Sequence, residues 1–210
     1  MSVPTPATSP LPRLEIQTAR LLLCAGDTTL APAVRAFQRR NRRHFERWDP
    51  PTSETFYTLE AQVQRVQAGL EAFLSDTAYR YWLVDISRSG GARIPLADSE
   101  VVGSVHFSQI TRGAFHNAML GYALDEAHVG QGLMTEALTA AIAEMFSRRV
   151  NLHRIQAAYR PENHRSEAVL ERLGFRLEGV AKDYLYIDGA WRHHRIVALT
   201  NAGFVKPDSW

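Results

Sequence analysis

The stretch Leu124-Asp125-Glu126-Ala127-His128-Val129-Gly130-Gln131-Gly132-Leu133-Met134 decides the fold of this chain. An apolar strand pattern ends at Leu124 and helical apolar spacing begins at Leu133, so a strand passes into a helix through Gly130-Gln131-Gly132. A helix N-terminus offers unpaired N–H groups and partial positive charge, and glycine permits close approach of an anion. The stretch predicts a strand-to-helix turn that binds phosphate, with an ordinary glycine turn as the alternative. It lacks the third glycine of a dinucleotide site and the Gly-Lys-Ser/Thr of a P-loop.

The elements predicted around this turn alternate between strands and helices. Helical spacing predicts helices over 59–74, 132–147 and 163–173, and a further helix is expected from Asp27 or Thr28 to about Arg43. Strands are predicted over 14–23, 81–86, 101–110, 115–124 and 155–159. A final hairpin of 184–187 and 196–199 should turn at Asp188-Gly189, which suits a type I′ turn.

Basic and aromatic residues concentrate between positions 35 and 51. The basic cluster consists of Arg35, Arg39, Arg40, Arg42, Arg43 and Arg47. It is either a solvated helix face or a surface for the phosphates of rRNA or of a cofactor tail. Phe45 and Trp48 precede Pro50-Pro51 in a segment that we do not expect to be regular helix. These aromatics either plug the core or line a groove for substrate.

Composition limits the remaining possibilities. With 210 residues and 45% hydrophobic content, the chain suits one domain, which we assign to 13–205. Residues 1–12 are expected to be a disordered tail and lack the features of a signal peptide. A net charge of +2 does not indicate nucleic-acid binding, and no run reaches the roughly 18 apolar residues of a membrane span. Cys24 has no second cysteine as partner, which favours a buried thiol and a cytoplasmic location.

The glycine turn also resembles a known family motif. The segment from Val129 to Met134 is similar to the Gln/Arg-x-x-Gly-x-Gly/Ala pyrophosphate loop of the Gcn5-related N-acetyltransferases (GNAT). Gly132 matches the central glycine, whereas Val129 replaces the usual Gln or Arg and Met134 the last Gly or Ala. Because the family holds the pyrophosphate through main-chain amides, the resemblance implies acetyl-CoA binding despite these changes. The implied cofactor-binding residues are Leu124, Val129, Gly130, Gln131, Gly132, Leu133, Met134, Thr135, Asn163 and Ser166.

A second motif lies after the predicted strand 155–159. Asn163-His164-Arg165-Ser166, followed by Leu173-Gly174-Phe175, resembles the GNAT segment Asn-x-x-Ser followed by Leu-Gly-Phe. In that family the Asn holds the pantetheine arm and the Ser lies near the thioester sulfur. Physical chemistry alone favours a helix N-cap for Asn163 and a first-turn position for Ser166.

A third motif identifies a subgroup. The segment Val180 to Arg192 closely resembles the final hairpin of the RimJ/RimL type ribosomal-protein-alanine N-acetyltransferases, RimJ most closely. Gly121-Tyr122 and the Arg112–His116 turn also agree. The resemblance implies the α/β (α+β) GNAT fold, a single mixed, mostly antiparallel twisted sheet of about seven strands flanked by about four helices. It also implies acetylation of the N-terminal alanine of a small-subunit ribosomal protein.

The implied chemistry is direct attack of a neutral amine on the acetyl thioester. Such a reaction needs orientation of two substrates and stabilisation of charge. We expect Ser166 to act as the catalytic residue at the leaving thiolate, and Phe45, Trp48 and Tyr122 to contact the acceptor. The base is unassigned, with water held by Glu162, Tyr122 or Asp183 as the options. An α-amine, with a pKa of about 7.7 to 8.0, needs only modest help from a base.

Two other functions remain open at this stage. The same fold could acetylate a small-molecule amine, which a strongly acidic groove would favour. Alternatively, the chain could be a non-catalytic ribosome-assembly module. We predict no metal, because His106, His116, His128, His153, His164, His193 and His194 lack metal-ligand spacing. The expected partners are acetyl-CoA and a ribosomal protein N-terminus, free or within the ribosomal subunit, with no membrane and no specific DNA binding. The chain is expected to be a monomer or a homodimer.

Overall fold

An eight-stranded sheet runs through nearly the whole length of the chain in the computed structural model, which describes residues 11–87 and 95–207. The strands are β1 (Glu15–Gln17), β2 (Leu21–Cys24), β3 (Tyr79–Asp85), β4 (Val101–Thr111), β5 (Asn117–Leu124), β6 (Arg154–Tyr159), β7 (Arg176–Ile187) and β8 (Ala190–Thr200). The α-helices in the described part are α1 (Ala31–Arg40), α2 (Arg42–Glu46), α3 (Leu59–Leu74), α4 (Leu133–Phe146) and α5 (His164–Arg172).

The strand order is β1-β2-β3-β4-β5-β6-β8-β7, and the pairs are antiparallel except for β5 with β6. These two strands can be parallel because α4 forms the crossover between them. On one face the core joins α4 residues such as Leu138 to Tyr81 and Phe107 of the sheet. On the other face α1 and α3 cover Trp82. The mixed, mostly antiparallel α/β fold expected from the family resemblance is confirmed.

Several predicted elements are present at their expected positions. The helix predicted over 59–74 is α3, with the Thr58 hydroxyl accepting a hydrogen bond from the Ala61 N–H. The final hairpin turns at Asp188-Gly189, where φ values of 51° and 72° fit a type I′ turn. Its two strands are longer than the segments 184–187 and 196–199. β7 spans Arg176–Ile187 and β8 spans Ala190–Thr200.

Two predicted elements are wrong in detail, because each is divided into two parts. The expected strand 14–23 is two strands, because the Thr18 side chain bonds the N–H and carbonyl of Leu21 and turns the chain. The sheet therefore has eight strands, not about seven. The helix expected from position 27 or 28 to 43 begins as a 3₁₀ turn at Thr28–Leu30 and breaks at Asn41 between α1 and α2. Five α-helices result in the described residues, and Phe45 lies in α2, contrary to the non-helical segment predicted for it.

The remaining expectations concern the termini and Cys24. Cys24 is buried, and this burial raises the pKa of its thiol to about 12. Residues 1–10 of the predicted tail lie outside the described residues, and the division into a tail and one domain over 13–205 stays a prediction. Within the described ranges, no helix is long and apolar enough to cross a membrane.

Candidate active site

A cleft opens where β5 and β6 stop pairing. The two strands pair in parallel only as far as Leu120 and Ala157, and β5 then continues to Leu124 without a partner strand on that side. The exposed backbone edge of this last stretch can hydrogen-bond an extended chain that carries amide groups. The cleft beside it has a volume of about 1110 Å³.

The cleft is lined from three directions. The end of β5 and the following turn form one side, α4 and α5 form another, and α2 with the residues after it forms the third. The lining residues include Phe45, Trp48, Asp49, Tyr122, Leu124, Val129, Gly130, Gln131, Gly132, Met134, Thr135, Glu136, Asn163, Arg165, Ser166 and Arg172. The structure thus brings together every predicted site residue except Leu133, whose side chain is buried in the core.

The glycine turn, Gly130-Gln131-Gly132, leads into α4 with left-handed backbone angles. The φ values are 83° at Gly130 and 78° at Gly132, which is the N-cap of α4. A Cβ at Gly130 would meet no atom within 4 Å, so the main chain faces open space. The first N–H groups of α4 have no helical acceptor and point out of the helix start. This arrangement fits an anion, and Arg165 and Arg172 line the same cleft.

Arg20 holds the glycine turn from behind. Its guanidinium donates to the Gln131 carbonyl at 3.0 Å and to the Glu136 carboxylate at 2.7 Å. Glu136 also accepts from the Thr18 hydroxyl at 2.7 Å. These bonds tie the β1–β2 turn to the first turn of α4. The sequence analysis missed Arg20, because more than 100 residues separate it from its partners and no local pattern marks it.

A second anchor precedes the turn at Asp125. This buried carboxylate pairs with Arg40 and accepts from the Asn41 amide at 3.0 Å, while the Asn41 amide oxygen accepts from the Glu126 N–H at 2.9 Å. Burial tends to raise the pKa of Asp125, but the hydrogen bonds from Asn41 and Arg40 outweigh it and lower the pKa. Arg40 therefore has a structural partner, so this member of the basic cluster is not simply part of a solvated helix face. The anchor connects α1 and α2 to the end of β5.

Tyr122 and Ser166 form a hydroxyl pair inside the cleft. Their oxygens lie 2.6 Å apart, although Tyr122 comes from β5 and Ser166 from the first turn of α5. Burial raises the pKa of Tyr122 to about 12, against the hydrogen bond with Ser166, which lowers it. The Tyr122 phenol is protonated at neutral pH even at its ordinary pKa of about 10, so it carries a proton that it can donate. The residue predicted to contact the acceptor and the predicted catalytic serine therefore lie next to each other in the cleft.

Asn163 has the structural role that physical chemistry favoured. Its side-chain oxygen accepts from the Ser166 N–H at 3.1 Å and caps α5. The residue also lines the cleft, so its family role in holding the pantetheine arm stays a prediction. The cap sets the position of the Ser166 hydroxyl, because it fixes the first turn of the helix.

Phe45, Trp48 and Asp49 form a third part of the cleft, here called the aromatic wall. Trp48 stacks against the guanidinium of Arg160, 5.5 Å from its ring centroid. The Arg160 side chain also donates to the Arg47 carbonyl at 2.6 Å. Because Arg160 directly follows β6, the wall reaches across to the strand that has parted from β5.

Neither side-chain carboxylate that the sequence suggested as a water-holding base is part of this lining. Glu162 is largely exposed and pairs with Arg160 at 3.4 Å, and Asp183 pairs with His193 at 3.4 Å on the final hairpin. Asp49, which the sequence analysis did not consider, does line the cleft. Among residues 11–87 and 95–207, no group of three or more His, Cys, Asp or Glu side chains could hold a metal ion.

The geometry therefore offers an anion site at a helix start, an open strand edge, and a proton-donating hydroxyl pair. A family model described as an acetyltransferase (GNAT) domain matches residues 20–176. The chain belongs to the GNAT acetyltransferase family. As a GNAT enzyme it is an N-acetyltransferase, and acetyl-CoA is its co-substrate. The glycine turn would hold the pyrophosphate, and the edge of β5 would hold the amide-bearing arm.

The similarity to individual relatives covers most of this chain. The chain is 36% identical over 192 residues to the [ribosomal protein uS5]-alanine N-acetyltransferase of Escherichia coli K12, covering 91% of this chain and 93% of the relative. Among solved structures, the ribosomal-protein-S5-alanine acetyltransferase of Vibrio fischeri has a TM-score of 0.83 at 34% identity, covering 93% and 100% of the two chains. Mycobacterium smegmatis RimJ in complex with CoA-disulfide has a TM-score of 0.76 at 30% identity, covering 86% and 81%.

Proposed function

We propose that this enzyme transfers the acetyl group of acetyl-CoA to the N-terminal alanine of a small-subunit ribosomal protein. The observation that carries the chemistry is the Tyr122–Ser166 pair, 2.6 Å apart beside the open edge of β5. The choice of acceptor rests on the similarity to uS5-alanine N-acetyltransferases over most of both chains. A ribosomal acceptor, free or within the subunit, implies action in the cytoplasm. We further propose that the enzyme acts as a monomer or a homodimer.

The reaction needs no covalent intermediate on the enzyme. The acceptor amine attacks the carbonyl carbon, the C–N bond forms, and the C–S bond breaks. Tyr122, a neutral phenol at pH 7, donates a proton to the departing sulfur, and Ser166 orients the Tyr122 hydroxyl. Leu124 and the glycine turn position acetyl-CoA. The entropy cost of bringing the two reacting atoms together is therefore met when the substrates bind, before the chemical step.

The charge of the cleft argues against a polycationic small amine as the acceptor. Among the described residues that line it, the carboxylates are Asp49 and Glu136. Glu136 forms an ion pair with Arg20 at 2.7 Å, and Arg165 and Arg172 add positive charge. A groove for polyamines or aminoglycosides would need a surplus of unpaired carboxylates.

The test is transfer of labelled acetyl from acetyl-CoA to unmodified ribosomal proteins. We expect label on the N-terminal alanine of one small-subunit protein, and on a peptide with that N-terminus. The matched control is the same peptide with its α-amine blocked and an internal lysine retained. Rapid labelling of small amines without labelling of any ribosomal protein would overturn the acceptor. Absence of acetyl-CoA binding in calorimetry would favour the non-catalytic module instead.

A further inference from the structure

Asp49 has no role in the anion site or in the hydroxyl pair, yet it lines the same cleft. Its position is set by the backbone, since its N–H donates to the Phe45 carbonyl at 2.9 Å at the end of α2. Pro50 and Pro51 follow directly, and each proline fixes its own φ and restricts the residue before it. The residue as a whole is exposed, and its carboxylate is held at the aromatic wall.

The other carboxylate of the cleft is already engaged. Glu136 accepts hydrogen bonds from Thr18 and from the Arg20 backbone and side chain. These bonds outweigh its burial and lower the pKa of Glu136, so it remains an ion locked in a structural pair. Among the described cleft-lining residues, Asp49 is thus the carboxylate left to receive a ligand.

We propose that Asp49 receives the ammonium group of the acceptor and accepts the proton that must leave nitrogen before the amine attacks. The proposal rests on the acetyltransferase function given above and adds its amine-binding and base residue. Phe45 and Trp48 line the cleft together with Asp49, so the ammonium would sit at a carboxylate with two aromatic side chains in the same wall. Both the carboxylate and an aromatic face attract a cation.

The protons balance as follows. The bound ammonium gives one proton to Asp49, which passes it to solvent, and the neutral amine attacks the carbonyl carbon. The nitrogen loses its second proton to water after the C–N bond forms. The departing sulfur takes a proton from Tyr122, which recovers one from water. One amide, one thiol and one released proton result.

The local charges suit this role. Desolvation of the carboxylate raises the pKa of Asp49 to about 6, and the positive charge of Arg65 on α3 opposes the rise. A base with such a pKa is ionised at pH 7 and accepts a proton more readily than an ordinary aspartate. The other titratable or charged groups that line the cleft are His44, Tyr122, Glu136, Arg165 and Arg172, and His44 is the competing base.

The experiment measures kcat/KM between pH 5 and 8.5 for wild type, Asp49→Asn, Asp49→Glu and His44→Gln. The acceptors are the N-terminal alanine peptide and a panel of small amines. Asp188→Asn is the matched control, because it makes the same chemical change at an exposed turn residue of the final hairpin. Calorimetric Kd for acetyl-CoA and Tm are recorded for every variant, to separate catalysis from folding.

We expect Asp49→Asn to lower kcat/KM at pH 7 by at least about 10²-fold, the usual contribution of a general base. Acetyl-CoA Kd and Tm should stay near wild type. Wild-type activity should fall below about pH 6 as Asp49 becomes protonated, and Asp49→Glu should keep this acidic limb with part of the rate. In Asp49→Asn this fall below pH 6 should disappear. The kcat/KM should instead rise with pH as the acceptor amine loses its proton, around the amine's own pKa of about 7.7 to 8.0.

Three outcomes would overturn the proposal. The first is a fall in kcat/KM at acidic pH that persists in Asp49→Asn but disappears in His44→Gln. The second is an equal loss in Asp188→Asn. The third is no turnover by wild type with any amine of the panel, which would remove the enzyme function as well. Turnover of small amines but not of the peptide would instead overturn only the ribosomal acceptor, and the Asp49→Asn ratio would still decide the role of Asp49.

Discussion

The glycine turn and the aromatic wall line the same cleft, but they are built in different ways. The glycine turn works through the main chain of consecutive residues, with left-handed angles at Gly130 and Gly132. The aromatic wall works through side chains, and it depends on a stacking partner, Arg160, that lies 112 positions after Trp48. A backbone site tolerates side-chain changes such as Val129 and Met134, whereas a side-chain site does not. We therefore expect the glycine turn to determine binding of the donor and the aromatic wall to determine the choice of acceptor.

The largest expected effect comes from the side chains at the reacting atoms. Tyr122→Phe should lower turnover by about 10²- to 10³-fold, because the proton donor for sulfur is lost. Ser166→Ala should cost only about tenfold, since the Tyr122 hydroxyl remains and also lies 3.3 Å from the Ser166 carbonyl. Steady-state kinetics with the alanine peptide, paired with acetyl-CoA calorimetry, measure both changes.

Both variants should leave the acetyl-CoA Kd within roughly threefold of wild type, because a catalytic group contributes mainly to the transition state. Equal losses in turnover and affinity would instead assign the hydroxyl pair to donor binding. The Tm separates either result from a folding defect.

How far the sequence could predict these parts follows from the range of their contacts. The glycine turn, α3, α4 and the Asp188-Gly189 turn depend on local spacing and backbone angles, so sequence patterns predicted them. Arg20 depends on contacts far along the chain, and the cleft beside Asp49 is formed by distant segments, so no local pattern distinguishes either residue from other Arg and Asp residues. The split of 14–23 into two strands depended on one side chain, Thr18, bonding back to Leu21.

The next largest effect tests the backbone character of the glycine turn. Gly132→Val should raise the acetyl-CoA Kd by roughly 10- to 100-fold, the equivalent of one lost hydrogen bond to a charged group. A Cβ at Gly132 would meet only the Arg20 side chain at 3.7 Å. The penalty therefore comes from the left-handed φ of 78°, which a β-branched residue cannot adopt without moving the N–H groups.

Gly113→Val provides the matched control for this prediction. Gly113 has a φ of 74° in the hairpin turn between β4 and β5, and a Cβ there would meet no atom within 4 Å. The two variants should lose similar stability in thermal unfolding, but only Gly132→Val should weaken acetyl-CoA binding. Unchanged affinity in Gly132→Val would show that the turn does not hold the donor.

The smallest expected effect belongs to Trp48 of the aromatic wall, and it should appear in the kinetics of the acceptor alone. Trp48→Ala should raise the KM for the alanine peptide about fivefold, because the acceptor loses an aromatic contact of about 1 kcal/mol. Trp48→Phe should recover most of the loss, since it keeps a ring against Arg160. Acetyl-CoA Kd should remain unchanged in both variants, because the donor contacts lie in the glycine turn and along β5. A rise in acetyl-CoA Kd equal to the rise in KM would remove the distinction between the two parts of the cleft, and the wall would then belong to the donor site.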